Sequence, residues 1–279
     1  MKKTNTKKLY EKNTLGKFLY IRHGETDYNK DYSKYKPNKI RTDKDYIDRK
    51  LNSNGISQAQ KIKKLIKNFE IDSVYVSPLY RSIETASIIF DTNTKNNNFP
   101  IYIHPLLTES VSGVHNFTYD LTEKQKKLFN NFDWSIFDSY FKTEMEQNLY
   151  FLNYVDVYDK KTQTVELNKI YDTYNTNKSF LPEALSNFSK FGVNLGLKRF
   201  ETLKHIYLRN QQFKEFLRKK YIDSNTINDK NKKVIIITHN AFCKMSTSEI
   251  ANNNINDIKN DFPNDCYNLN NCEIISMLI

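Results

Sequence analysis

Two arginines, two histidines and one glutamate carry most of the reactive potential of this chain, and each follows a short apolar run. Arg22-His23-Gly24 comes directly after residues 18–21, and Arg81 stands a few residues beyond 74–76. Glu109 follows 101–103, and His239 follows 234–237. Guanidinium groups are planar forks that match the oxygens of a phosphoryl group. A neutral imidazole can attack phosphorus, and a protonated carboxyl can donate a proton to the leaving oxygen. With arginines and a second histidine supplying charge stabilisation, such a set requires no Mg²⁺. The chemistry that suits these five residues is phosphoryl transfer.

For the five to meet, the apolar runs must be strands that end on one edge. Runs at 18–21, 74–76, 101–103, 234–237 and 274–279 have strand length and composition. Between them lie helical patterns. Apolar residues at 56, 59, 62, 65, 66 and 69 fall on one helix face, with Asn52 placed to cap it and Leu51 before the cap. Ser77-Pro78 predicts an N-cap followed by proline at the first helical position, opening a helix through Phe90. Further helices are predicted over about 195–221 and after His239. Strand–helix alternation predicts a doubly wound α/β sheet, in which ligands bind at the carboxyl ends of parallel strands. Residues 110–190 break the rhythm and are expected to form an insertion with its own helices over the sheet edge. Asn-rich stretches at 91–98, 223–233 and 252–271 predict loops.

Composition bounds the remaining possibilities. A 279-residue chain is long enough for one large domain that buries roughly 75% of its unfolded surface. It needs no disulfide or structural metal to hold a core. Cys243, Cys266 and Cys272 are odd in number and form no CxxC pair, which suits free thiols in a reducing, cytoplasmic setting. No run approaches the ~20 apolar residues of a membrane span, and the lysine-rich start lacks the apolar stretch of a signal peptide. Residues 1–16 are expected to be a flexible basic tail. The formal charge of +11 favours anionic partners, but the lysines are dispersed and no nucleic-acid-binding motif stands out.

Arg22-His23-Gly24-Glu25-Thr26 through Asn29 resembles the signature of the histidine phosphatase superfamily, which includes cofactor-dependent phosphoglycerate mutases. Further matches follow in the family's order: Leu51-Asn52, Gly55, Gln58-Ala59; Ser77-Pro78-Leu79-Tyr80-Arg81 with Glu84-Thr85-Ala86; Leu107-Thr108-Glu109; and Thr238-His239. The similarity is strong over residues 18–109 and 234–245 and weak between them. It implies that His23 becomes a phosphohistidine and that Glu109 is the general acid, later the base that activates water. Arg22, Arg81 and His239 would bind the phosphoryl group, with Asn29 assisting and Thr26 and Asn240 among the substrate contacts. It also implies a three-layer α/β/α sandwich with a mostly parallel mixed sheet, formed by residues 17–279 as one domain with the insertion at about 110–190.

The branch is narrowed by what stands beside these motifs. The acid-phosphatase branch carries RHGxRxP and a terminal His-Asp pair; Glu25, Thr26 and Asn240 occupy the corresponding places here. The mutase branch has a Phe-Thr-Gly-Trp stretch and an acid within Glu-Arg-His-Tyr, whereas the acid segment here is Glu109-Ser110-Val111-Ser112. Residues 131–174 contain eight acids and four lysines, no arginine, many Phe and Tyr, and the single Trp134. If this stretch lines the mouth, it repels small polyanions and offers aromatic surface, although its aromatic residues equally suit an inward-facing cover. The expectation is a metal-independent phosphatase for monoesters with an apolar or aromatic leaving group, or for phosphoproteins. The alternatives are a mutase using 2,3-bisphosphoglycerate, which otherwise is not needed as a cofactor, and a phosphate-binding module without turnover. His104, His115 and His205 are expected to be structural or surface histidines, since none shows metal-binding spacing. Oligomeric state is not legible.

Overall fold

Alternation of the strand side chains builds the molecule in three layers. In the computed structural model, which describes residues 16–32, 34–35, 37–92, 97–223, 232–247, 262 and 268–277, one sheet contains five strands. They are β1 (Phe18–Arg22), β2 (Ile71–Val76), β3 (Ile101–Ile103), β4 (Lys233–Thr238) and β5 (Ile274–Met277). Their order is β3-β2-β4-β1-β5, and β1 to β4 run parallel while β5 lies antiparallel beside β1.

Helices α1 (Asp27–Tyr32) and α2 (Pro37–Thr42) follow β1, and α3 (Ser53–Ile66) leads into β2. Helix α4 (Tyr80–Phe90) connects β2 to β3. Between β3 and β4 come α5 (Lys160–Thr176), α6 (Leu181–Asn194) and α7 (Leu203–Arg218), with shorter turns before them, and α8 (Asn240–Thr247) follows β4. Leu19, Ile21, Val74, Val76, Ile235 and Ile237 face α3 and α4 through Ala59, Ile62, Ile66, Ile83, Ala86 and Ile89. The intervening Phe18, Tyr20, Tyr75, Val234 and Ile236 face Phe213 and Leu217 of α7 and Phe242 and Cys243 of α8. A period of two on the strands thus distributes apolar side chains to both faces, giving the expected α/β/α sandwich with a mixed sheet.

Asn52 caps α3 as its position predicts, accepting from the Gly55 amide at 2.9 Å. Two other helix boundaries differ from expectation. Helix α4 starts at Tyr80 with Leu79 at its cap, so Ser77 and Pro78 lie outside it. The Ser77 hydroxyl is instead engaged by His239 Nε2 at 2.7 Å. The helix predicted from 195 begins only at Leu203, where Thr202 caps it by accepting from the His205 amide. Residues just after α6 cannot continue helically, because Gly196 takes a left-handed φ of 77°.

The insertion covers the β3 edge of the sheet. Asp133 pairs with that strand, donating to Ile101 O at 2.8 Å and accepting from Ile103 N at 2.9 Å. Edge strands left open invite intermolecular pairing, so this contact closes one flank. Phe132, Trp134, Phe137, Phe141, Tyr150, Phe151, Tyr154 and Tyr174 are buried in the same cluster as the sheet residues. The aromatic residues therefore face inward. Cys243 and Cys272 are buried free thiols, while Cys266, the basic tail over residues 1–15 and most of the Asn-rich stretches lie outside the described residues. Among the described residues no helix is long and apolar enough to cross a membrane.

Candidate active site

The turn after β1 is held by backbone contacts that tolerate only glycine. A Cβ on Gly24 would lie 2.7 Å from Gly55 O, and one on Gly55 would lie 2.7 Å from Glu25 N and closer still to Glu25 O. The two glycines let the turn lie directly on the first turn of α3. The neighbouring motif residues tie the same turn down. Gly24 N donates to Thr85 Oγ1 at 3.0 Å, Glu25 N to Gln58 Oε1 at 2.9 Å, and Asn52 N to Glu25 O at 2.9 Å. Glu84 holds the Leu51 amide at 2.7 Å. These neighbouring motif residues thus fix the turn that carries His23.

His23 itself is 2% exposed. Its Nδ1 lies 2.7 Å from Gly24 O. A carbonyl only accepts, so Nδ1 carries the proton and Nε2 bears the lone pair. Arg81 Nε donates to that Nε2 at 3.1 Å, while Arg81 Nη1 donates to His115 O at 2.9 Å. Burial, reinforced by the charges of Arg81 and Arg22, holds the His23 imidazole well below its usual pKa. At neutral pH it is therefore an uncharged imidazole, of a kind able to act as a nucleophile, beside a buried guanidinium.

Arg22 and His239 complete the polar wall around His23. Arg22 Nη1 donates to Leu269 O at 2.7 Å, leaving its buried Nε without a protein partner among the described residues. The His239 ring lies 4.9 Å from that of His23. Its Nε2 is bonded to Ser77 and lies 3.3 Å from Ser82 Oγ, and its buried Nδ1 is likewise unpartnered among the described residues. Burial, then the Arg81 charge, also pushes the His239 pKa well down.

Glu109 enters from beyond β3. Its Oε1 accepts from its neighbour Ser110 N at 3.0 Å and from Ala241 N of α8 at 3.2 Å. A compartment of about 80 Å³ is lined by His23, Arg81, Glu109, Thr26, Asn29, Tyr28 and His115, among others. It adjoins a wider cavity of about 500 Å³ on which Arg22, Glu109, Asn29, His115 and Asn240 also lie. The sheet edge thus assembles all five residues expected to be reactive.

The three further residues expected at the site are present with local duties. Thr26 and Asn29 cap one another at the start of α1: Thr26 N and Oγ1 both donate to Asn29 Oδ1, at 3.1 and 3.0 Å. Both still line the small compartment. Asn240 donates to Asn268 Oδ1 and accepts from Leu269 N, and so holds the segment that receives Arg22.

His115 has a place beside the cavities that the sequence did not point to. Expected to be structural or on the surface, it is buried against both cavities and stacks on Tyr28 with ring centroids 3.6 Å apart. Its motif-free neighbourhood carried no signal. His104 and His205 match expectation, the former buried among aromatic rings and the latter half-exposed near Asp156. The mouth also corrects the sequence reading. No residue of 131–174 lines the wide cavity; its wall has Lys198, Arg199 and Lys244 beside Arg22, against Glu25 and Glu109. None of the eight acids of this stretch lies on the wall of either cavity. Among the described residues no group of three His, Cys, Asp or Glu side chains is placed to hold a metal ion.

Fold and site together define an α/β protein with a pocket lined by His23, Arg81 and Glu109 at the carboxyl edge of its sheet. Residues 18–147 match the model of the histidine phosphatase superfamily, branch 1. The fructose-2,6-bisphosphatase TIGAR B of Danio rerio is 35% identical over 94 residues, which is 34% of either chain. The match thus spans about a third of the length of that relative. Among solved structures, a mycobacterial glucosyl-3-phosphoglycerate phosphatase is 12% identical with a TM-score of 0.48, covering 92% of this chain and 88% of that one. The phosphoserine phosphatase of Entamoeba histolytica is 18% identical with a TM-score of 0.41, covering 92% and 87%.

Proposed function

We propose that this chain is a phosphatase that hydrolyses phosphate monoesters through a phosphohistidine, without a metal ion. The observation that carries this reading is the His23 ring: Nδ1 is committed to Gly24 O, so the lone pair of Nε2 points to the arginine-lined compartment.

In the first step Nε2 attacks phosphorus, the bond to the ester oxygen breaks, and Glu109 gives its proton to the departing alcohol. Arg22, Arg81 and His239 Nδ1–H spread the charge on the non-bridging oxygens. In the second step Glu109 takes a proton from water, whose oxygen attacks phosphorus, and His23 leaves as the neutral imidazole. Arginines at fixed positions supply the electrostatic stabilisation that a metal ion supplies elsewhere.

The cationic mouth supports a small-molecule substrate that bears a second acidic group. A cavity of about 500 Å³ is in the usual size range for such ligands. This replaces the expectation of an apolar or aromatic leaving group, which depended on the acidic insertion lining the mouth.

Phosphorus NMR of the protein with 3-phosphoglycerate, trace 2,3-bisphosphoglycerate and EDTA, beside His23→Ala, tests the reading. Free phosphate as main product, absent in the variant, is the expected result. Accumulation of 2-phosphoglycerate instead would make the protein a mutase, and no turnover of this or any monoester panel would leave a binding module.

A further inference from the structure

The backbone that carries Glu109 is held by a buried ion pair that touches neither cavity. Glu201 and Arg209, respectively 0% and 1% exposed, meet side by side: Nε to Oε1 at 2.9 Å and Nη2 to Oε2 at 3.0 Å. Arg209 Nη1 donates in addition to Leu106 O at 2.6 Å and to Thr108 O at 2.9 Å. Glu201 Oε2 accepts from Val111 N at 3.2 Å, and Val111 O accepts from Phe200 N at 2.7 Å. The pair therefore grips the carbonyl immediately before Glu109 and the amide two residues after it. Arg209 also lies over the Phe242 ring of α8, the helix whose Ala241 amide meets the Glu109 carboxylate.

A buried ion pair contributes little net stability relative to apolar side chains of the same volume. What it does that they cannot is fix the direction of three backbone groups, Leu106 O, Thr108 O and Val111 N. Fixing those groups sets where the intervening side chain stands, and small displacements of a proton donor are costly in rate.

We propose that Glu201 and Arg209 are positioning residues that aim the Glu109 carboxyl at the leaving oxygen. This rests on the reading of Glu109 as general acid. Loss of the pair should then reproduce the signature of losing the acid itself.

The experiment measures single-turnover phosphoenzyme formation with two esters, para-nitrophenyl phosphate and glycerol phosphate. A nitrophenolate leaves without a proton, whereas an alkoxide needs one. Glu109→Gln should slow glycerol phosphate by about 100-fold and para-nitrophenyl phosphate by only a few-fold. The double variant Glu201→Leu/Arg209→Met, which leaves no lone buried charge, should show the same selectivity with about a 10- to 100-fold loss on the alkyl ester. Arg209→Lys, which keeps the charge but not the fork, should fall between and serves if the double variant fails to fold in a circular-dichroism melt. If Glu109→Gln slows both esters alike, the acid assignment fails and takes the proposal with it. If Glu109→Gln is selective but the pair variants slow both esters alike, or neither, the pair is only structural and the proposal is overturned.

Discussion

Arg81 Nε donates to His23 Nε2 at 3.1 Å, so in the proposed reaction the attacking lone pair faces the cation that receives the phosphoryl oxygens. Burial, and after it contact with the guanidinium, keeps the imidazole neutral, because a charge is costly away from water and a second positive charge beside the first is unfavourable. Replacing Arg81 by Met should lower kcat/KM by about 100- to 1,000-fold, the usual loss when a fixed donor to transition-state charge is removed. It should also move the acid limb of the kcat/KM profile upward, since less positive charge then opposes protonation of His23. An unmoved limb would show that Arg81 does not govern this ring.

Stability should rise with pH between about 4 and 6.5. Burial and neighbouring arginines hold His23, His115 and His239 well below their usual pKa, and burial pushes His104 down to about 3. Above an unfolded pKa near 6.5 these rings are neutral in both states. Below it the unfolded chain binds protons that the folded chain refuses, and each ring removes about 1.4 kcal/mol of stability per pH unit. Asp48, which accepts from Tyr80 N and Gln125, acts in the opposite sense. Burial pushes its carboxyl up to about 7, so its contribution is complete below 3.8 and is lost as pH rises through 7. Burial also raises the Glu84 and Glu201 carboxyls, which act as Asp48 does, and four rings against these three carboxyls leave a net fall on acidification, which urea midpoints at several pH values would register.

Gly55→Ala should disable the site without touching a reactive group. Its Cβ would collide with the Glu25 backbone, which must shift, and the turn bearing His23 shifts with it. Overpacking of this kind costs about 1–3 kcal/mol. The urea midpoint should fall, and phosphohistidine formation should fall much further than the folded fraction does.

Lys198 and Lys244 line the wide cavity and set its charge. Lys198→Ala/Lys244→Ala should raise KM by roughly 10-fold for esters bearing a second phosphate or carboxylate, while leaving para-nitrophenyl phosphate little changed. The difference should shrink at high salt, where surface charges are screened. Equal changes for both ester types would show that the mouth does not select a second anionic group.

The scaffold, and the meeting of Arg22, His23, Arg81, Glu109 and His239 at one sheet edge, were legible from residue order alone. A strand followed by Arg22-His23-Gly24 allows few placements, because strand direction sends the next residues to one edge and Gly24 needs a bare backbone opposite it. Asn52 as a cap and the period of two in the strands are equally local properties. Ser77 and Pro78 were misplaced as a helix start because a hydroxyl bonds whatever lies nearest, and His239 is nearer than the amides of α4. His115 could not be recognised for the same reason. Its place depends on Arg81 reaching its carbonyl and on Tyr28 stacking on its ring, contacts between residues 34 and 87 positions apart. Whether acidic residues 131–174 or Lys198, Arg199 and Lys244 face the mouth was likewise decided only by folding. Local sequence sets which side chains prefer burial, but packing of the whole chain decides which charged segment is left beside the cavity.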